Sequence, residues 1–115
     1  MTSRDQYDKL TAVYEGALGA GDAEAIGRLF TEDALVLSPG HPTVSGRQAI
    51  REFYKNLLGE GVKLTVKAQD FDQSGDLAYG AGTFEAEDET GNYLEVLKRQ
   101  SDNSFLFHRM CWNSH

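Results

Sequence analysis

The hydrophobic pattern of this chain changes its period within one stretch, GEGVKLTVKA at residues 59–68. From Val62 onward apolar and polar side chains alternate, which is typical of a half-buried β-strand. Before Gly59 the apolar side chains recur every three or four positions, which is typical of amphipathic helices. The sequence therefore predicts a helical N-terminal half followed by a β-stranded C-terminal half.

Three helices are predicted before the change of period. The first begins at a capping box that starts at Ser3. Its inward face consists of Tyr7, Leu10, Tyr14, Ala17 and Leu18. Asp22 caps a second and shorter helix. The third helix begins at a capping box at Ser45, ends at Gly59, and has Ile50, Phe53, Tyr54 and Leu57 on one face.

Five strands are predicted, one of them ahead of the third helix. They are a short strand at residues 34–37, a strand that begins at Val62, and strands at residues 77–87, 93–100 and 105–113. Short turns join the last four, which favours an antiparallel sheet with the helices on one face. We therefore predict one α+β domain over residues 1–115, in which three N-terminal helices pack on the concave face of a cone-shaped, curved antiparallel sheet. The wide end of the cone is expected to form a small-molecule pocket.

Composition narrows the classes of partner. The chain has 115 residues, a formal net charge of -7 and a sequence pI of about 4.8. An acidic surface argues against nucleic acid and anionic membranes as partners. No apolar stretch approaches the roughly 20 residues of a membrane span. A single cysteine, Cys111, rules out an internal disulfide and fits a cytoplasmic location.

Six segments of the chain resemble one superfamily in their order and spacing. They are GDAEAI at residues 21–26, FTEDA at 30–34, SGRQAI at 45–50, GDLAY at 75–79, YLEV at 93–96 and MCWNS at 110–114. The chain resembles the nuclear transport factor 2-like superfamily, which includes steroid Δ5-isomerases, and most closely its SnoaL-like branch. The resemblance implies the cone fold and a homodimer, and one such scaffold serves many chemistries.

The resemblance implies that Tyr14 and Glu95 bind one oxygen of a ligand. In steroid isomerases a tyrosine at the position of Tyr14 donates to the developing enolate oxygen, and a protonated aspartic acid at the position of Glu95 donates to the same atom. The residues themselves leave alternatives open. Tyr14 is also consistent with an ordinary core tyrosine. Glu95 is also consistent with an ion pair to Arg109 or with an outward-facing surface residue.

Ser38 marks a departure from the steroid isomerase pattern. That pattern places a proton-shuttling aspartate just before a proline, and here Ser38 precedes Pro39. A serine hydroxyl without an activating base cannot take a proton from carbon near neutral pH. We therefore expect no steroid Δ5-isomerase activity by that mechanism.

Two histidines are candidates for moving a proton. Strand alternation places His108 and Trp112 on the predicted pocket face, so His108 is either a general acid–base group or a hydrogen-bonded core histidine. His41 lies in a loop near the expected mouth and is the weaker candidate. Five residues are predicted to bind the substrate, namely Ser38, His41, Phe53, Tyr54 and Trp112.

The opposite face of the last strand suggests an interface. Phe105 and Phe107 are predicted to point outward with Arg109 and Cys111, and two outward phenylalanines favour a homodimer contact. No metal is predicted, because His108 and Cys111 would point to opposite faces of a strand. No cofactor is predicted either, because the glycines do not form a phosphate-binding loop.

Two functions remain consistent with the sequence. The first is a cofactor-independent enzyme of the isomerase, cyclase or dehydratase type, acting by acid–base chemistry on a small hydrophobic carbonyl compound. Tyr14 and Glu95 would polarise its oxygen, and His108 or His41 would move the proton. The second is a non-catalytic ligand-binding or dimerisation domain with the same pocket.

Overall fold

Three helices and six strands make up the computed structural model, which describes residues 2–115. The helices are α1 (Ser3–Ala20), α2 (Ala23–Gly27) and α3 (Arg47–Leu58). The strands are β1 (Phe30–Leu37), β2 (Val44–Ser45), β3 (Leu64–Ser74), β4 (Leu77–Ala86), β5 (Thr90–Arg99) and β6 (Phe105–Ser114). The predicted α+β class is confirmed, with helices packed on one face of a curved sheet that does not close.

The strands form one sheet in the order β2-β1-β6-β5-β4-β3. Strands β3 to β6 are an antiparallel meander, as the short turns predict. However, β1 runs parallel to β6, so the prediction of a wholly antiparallel sheet is wrong in this one pair. The two strands come from opposite ends of the chain and no turn joins them. Their relative direction therefore could not be deduced from turn lengths.

The helix ends follow local hydrogen bonding. The capping box of α1 is formed by Thr2 and Asp5, one residue earlier than predicted, with both of its hydrogen bonds at 3.1 Å. Asp22 caps α2 as predicted. Ser45 does not cap α3, because it lies in β2 and pairs with Leu35 of β1. The cap position falls on Gly46 instead. None of the helices within residues 2–115 is both long and apolar enough to cross a membrane.

The core lies between the helices and the inner face of the sheet. Its largest fully buried side chains are Tyr7, Ile26, Phe30, Val36, Ile50, Tyr54, Leu97 and Phe107. Hydroxyl-bearing tyrosines are thus mixed with hydrocarbon side chains at the centre of the domain. A buried phenol needs a hydrogen-bond partner, so these tyrosines are placed where they can pair with one another or with a ligand.

A β-bulge interrupts β6. Val96 of β5 pairs with Arg109, but the next residue, Leu97, pairs with Phe107. His108 is therefore the extra residue, without a counterpart on β5. After such a bulge, each following side chain lies on the face opposite to the one that simple alternation predicts.

The bulge overturns the predicted orientation of β6. Phe105 and Phe107 are buried in the core, on the same side of the sheet as Met110 and Trp112. The prediction that both phenylalanines point outward is wrong, because simple alternation along β6 does not allow for the extra residue at His108. Neither phenylalanine is available for a contact between two copies of the chain.

Candidate functional site

A cavity of about 60 Å³ lies between α1 and the inner face of the sheet. Its walls are formed by Thr11, Tyr14, Leu64, Val66, Phe84, Tyr93, Glu95, Phe107, Met110 and Trp112. Most of these side chains are apolar or aromatic. One water needs roughly 10–15 Å³ of such space, so the cavity has room for a small molecule or for several waters.

Glu95 is the one carboxyl group in this wall. It is 6% exposed, and burial raises its pKa to about 8 because the charged form loses its hydration. The predicted alternatives do not occur: Glu95 faces inward, and Arg109 instead donates to the backbone carbonyls of Asp33 and His108. At neutral pH the carboxyl of Glu95 is therefore mostly protonated and can donate a hydrogen bond.

Tyr7 holds one oxygen of this carboxyl and is itself hydrogen-bonded to Tyr93. The Tyr7 hydroxyl donates to Glu95 Oε1 at 3.2 Å, and its oxygen lies 2.6 Å from that of Tyr93. Gly80 faces Glu95 across the sheet, and a Cβ atom there would come within 2.3 Å of the Tyr7 hydroxyl. The sequence indicated Tyr7 only as part of a buried helix face. The glycine opposite the buried glutamate was the one signal that a large side chain approaches here.

Tyr14 and Tyr54 form a second pair of phenols. Their hydroxyl oxygens share a hydrogen bond of 2.7 Å, and both lie near Met110 Sδ, at 3.7 and 3.4 Å. Burial raises the pKa of both phenols above the ordinary value of 10, so both stay protonated at any working pH. The structure thus brings Tyr14 and Glu95 to the same cavity, and it places Tyr54 directly behind Tyr14.

Aromatic side chains connect the cavity to the loop before α3. Trp112 is half-buried in the cavity wall, and its ring packs against Phe53 at 6.4 Å between centroids. Phe53 in turn contacts the ring of His41 at 5.0 Å. His41 is exposed, and its Nδ1 lies 2.8 Å from the carbonyl of Pro42. His41 therefore borders a separate, open surface groove rather than the cavity.

His108 lies outside the cavity. Its Nδ1 is 2.8 Å from Thr31 Oγ1 and 3.7 Å from Asp33 Oδ1, at the junction of β1 and β6. Burial lowers its pKa, the positive charge of Arg109 lowers it further, and Asp33 opposes both. The predicted place of His108 on the pocket wall is wrong, because the bulge turns it away. Ser38, half-buried just after β1, is not among the residues of the wall.

The family follows from a comparison with known proteins. Residues 10–106, most of the chain, match the model of the SnoaL-like domain. The chain belongs to the SnoaL-like domain family. The predicted resemblance is thereby confirmed.

Solved structures share this fold at low sequence identity. A ketosteroid isomerase-like protein from Erwinia carotovora atroseptica is 21% identical, with 93% of this chain and 92% of that one covered and a TM-score of 0.76. An NTF2-like protein with a cystatin-like fold from Novosphingobium aromaticivorans is 21% identical, with 95% and 79% covered and a TM-score of 0.80. A domain of unknown function with a cystatin-like fold from Nostoc punctiforme is 15% identical, with 100% and 80% covered and a TM-score of 0.82.

The wall of this SnoaL-like domain defines what chemistry it can support. A protonated carboxyl and a phenol supply two hydrogen-bond donors inside an apolar space, where such bonds are stronger than in water. Among the described residues, no group of three or more His, Cys, Asp or Glu side chains is placed to hold a metal ion. The arrangement is suited to binding an oxygen atom of an otherwise apolar molecule.

Proposed function

We propose that this SnoaL-like domain binds a small hydrophobic carbonyl compound in its cavity and acts on it as a cofactor-independent acid–base enzyme. The reaction would be of the isomerase, cyclase or dehydratase type. The observation that supports this most strongly is the position of Glu95, a carboxyl group that is 6% exposed in the wall of an apolar cavity beside Tyr14. Buried carboxyl groups with raised pKa values cluster at functional sites.

The walls select for an apolar ligand that carries one oxygen acceptor. Leu64, Val66 and Phe84 offer only hydrocarbon contacts, whereas Tyr14 and neutral Glu95 offer donors. A carbonyl oxygen accepts from both donors without bringing a charge into the cavity. Pockets for drug-sized ligands measure roughly 300–1,000 Å³. The 60 Å³ observed here favours a ligand much smaller than a steroid.

A matched pair of probes tests the binding. Cyclohexanone and methylenecyclohexane share their shape, but only the ketone has an oxygen. In NMR titrations we expect the native protein to bind the ketone, and Tyr14→Phe to weaken that binding about tenfold, the effect of one hydrogen bond. Methylenecyclohexane should bind both proteins equally, and the exposed change Tyr79→Phe should affect neither probe. Equal binding of cyclohexanone by native protein and Tyr14→Phe would contradict the proposal.

A second candidate function is a ligand-binding domain without catalysis. It is favoured by one observation: His41 and His108, the predicted proton carriers, both lie outside the cavity wall. Native mass spectrometry of freshly purified protein separates the candidates. A co-purified ligand that remains chemically unchanged on prolonged incubation supports binding alone, whereas conversion of the ligand supports the enzyme.

We also propose that the protein forms a homodimer through the outer face of its sheet. Register places Leu37, Cys111, Leu94 and Ala81 side by side across four adjacent strands, a set that we call the outer row. Leu37 is 41% and Leu94 49% exposed. A continuous apolar row on a face that carries no helix favours a partner surface of the same composition.

A further inference from the structure

The cavity wall contains one group that can exchange a proton near neutral pH. Besides Glu95, the groups in the wall that can ionise are the phenols of Tyr14 and Tyr93, and burial raises the pKa of both above 10. A phenol that stays protonated can donate a hydrogen bond but cannot take a proton from carbon. Of the ionisable groups in the wall, Glu95 is therefore the one that can take a proton from a carbon atom of a ligand.

The two oxygens of Glu95 have different surroundings. Oε1 accepts a hydrogen bond from Tyr7, whose own oxygen is 2.6 Å from that of Tyr93. Within the part of the chain that the structure describes, the hydrogen bond to this carboxyl is made to Oε1 and none is made to Oε2. One oxygen is thus anchored, which leaves the other to meet a ligand.

Gly80 provides the space for this anchor. It pairs directly with Glu95 across β4 and β5, and the Tyr7 ring end occupies the position that a Cβ atom at Gly80 would take. Phe71 stacks on the Tyr7 ring at 5.2 Å between centroids and fixes it from the side. Packing on both sides therefore holds the Tyr7 hydroxyl within hydrogen-bonding distance of the carboxyl.

We propose that Glu95 is the catalytic acid–base residue of the cavity and that Tyr7 and Tyr93 are positioning residues, a hydroxyl chain that orients its carboxyl and exchanges its proton. This inference rests on the proposed function, because it assumes that a carbonyl compound binds in the cavity. It gives the proton-moving role to a residue that the sequence suggested only as a donor to oxygen.

The reaction step balances without any co-reactant. Once ionised, Glu95 no longer donates to the carbonyl oxygen and instead takes a proton from the carbon next to the carbonyl. The electron pair of that C–H bond forms a carbon–carbon double bond. The negative charge moves to the carbonyl oxygen, which accepts a hydrogen bond from Tyr14. Protonated Glu95 then returns a proton to carbon and is ionised again. If its proton first exchanges along Tyr7 and Tyr93, the carbon receives a hydrogen from solvent.

The surroundings of Glu95 make its titration separable from that of other groups. The titratable side chains facing it are Tyr7 and Tyr14 of α1, Tyr54 of α3 and Tyr93 of β5. Burial raises the pKa of each phenol above 10, so none of them ionises in the range where Glu95 does. A pH profile of proton transfer should therefore follow one carboxyl group, with a midpoint at about 8.

Deuterium exchange into cyclohexanone tests the proposal directly. In D₂O the native protein should accelerate deuteration of the carbons next to the carbonyl, with a rate that rises with pH to a plateau. Glu95→Gln should reduce the rate about a hundredfold or more, because it removes the base. Tyr7→Phe should reduce it about tenfold and move the midpoint of the pH profile upward, since a donor to the ionised carboxyl is lost.

Matched variants separate this role from a structural one. Glu85→Gln and Tyr79→Phe change exposed residues of the same types and should leave both rate and midpoint as in the native protein. If Tyr7→Phe fails to fold, Tyr93→Phe is the substitute and should shift the midpoint in the same direction. Unaltered exchange in Glu95→Gln would overturn the proposal. If cyclohexanone binds, and binding depends on Tyr14, but the ketone is not deuterated, this inference alone is overturned. If cyclohexanone does not bind, the proposed function is overturned as well.

Discussion

At the scale of single residues, Glu95 couples folding to pH. Its pKa is about 8 in the folded protein and about 4.5 when exposed to water. Between these values the folded protein keeps a proton that the unfolded chain has released, so the free energy of unfolding should fall as pH rises. Urea unfolding across this range is expected to show the fall in the native protein and in Glu85→Gln, but much less of it in Glu95→Gln. A fall of equal size in Glu95→Gln would assign it to another group.

Gly80 affects both the packing of the core and the position of Tyr7 beside the cavity. A Cβ atom there would lie 2.3 Å from the Tyr7 hydroxyl, so Gly80→Ala should displace Tyr7 and destabilise the fold by about 1–3 kcal/mol, a usual cost of overpacking. Gly16, on the exposed face of α1, has no atom within 4 Å of that position. Gly16→Ala should stabilise by about 0.5–1 kcal/mol through helix propensity. Denaturant midpoints would show the opposite signs, and a neutral Gly80→Ala would mean that Tyr7 can move freely.

At the scale of elements, the junction of β1 and β6 gives a second pH effect of opposite sign. The pKa of His108 is lowered below 6.5, chiefly by burial, with Arg109 and Lys98 also lowering it and Asp33 opposing them. Below pH 6.5 the unfolded chain therefore binds a proton more readily than the folded one, and stability should fall as pH decreases. His108→Asn keeps a polar group near Thr31 and should reduce this acid-side loss.

The control for that experiment is His41, a histidine in a loop. His41 lies on the surface, so His41→Asn should leave the acid-side loss as it is in the native protein. Chemical unfolding at a series of pH values below 6.5 measures both variants. An unchanged slope in His108→Asn would show that the loss comes from carboxyl groups elsewhere in the chain.

The same elements show what the sequence could and could not predict. Regular alternation runs through β5 without a bulge, and Glu95 lies on its inner face, the position that the resemblance implied. The bulge at His108 in β6 also faces an irregular part of β1, where residues 31–34 lie between the pairs Phe30–Phe107 and Leu35–Arg109. No local pattern carries that information, because the two strands are far apart in the chain. Tyr7 and Glu95 are 88 positions apart in the chain, so their contact could not be predicted from the sequence for the same reason.

At the scale of the whole molecule, the helices cover only one side of the sheet. The core, the cavity and both phenol pairs lie between α1, α3 and the inner face. The outer face keeps the apolar outer row exposed, although the chain carries a net charge of -7. Charge repulsion keeps two acidic copies apart unless a local apolar surface offsets it. The outer row is the feature of the outer face best placed to do so, which makes the oligomeric state a test of how this face is used.

The dimer prediction follows from that asymmetry. Sedimentation of the native protein should give twice 12.7 kDa, and Leu94→Glu should give 12.7 kDa, because a desolvated charge at an apolar interface costs about 2 kcal/mol or more. Leu57→Glu, which places the same charge on α3 at a residue of similar exposure, should leave the dimer intact.

The thiol of Cys111, within the outer row, should be alkylated faster in Leu94→Glu than in the native protein. Phe107→Glu should unfold the domain instead, since Phe107 is completely buried. A native protein that sediments as a monomer, or a dimer that survives Leu94→Glu, would contradict an interface centred on the outer row.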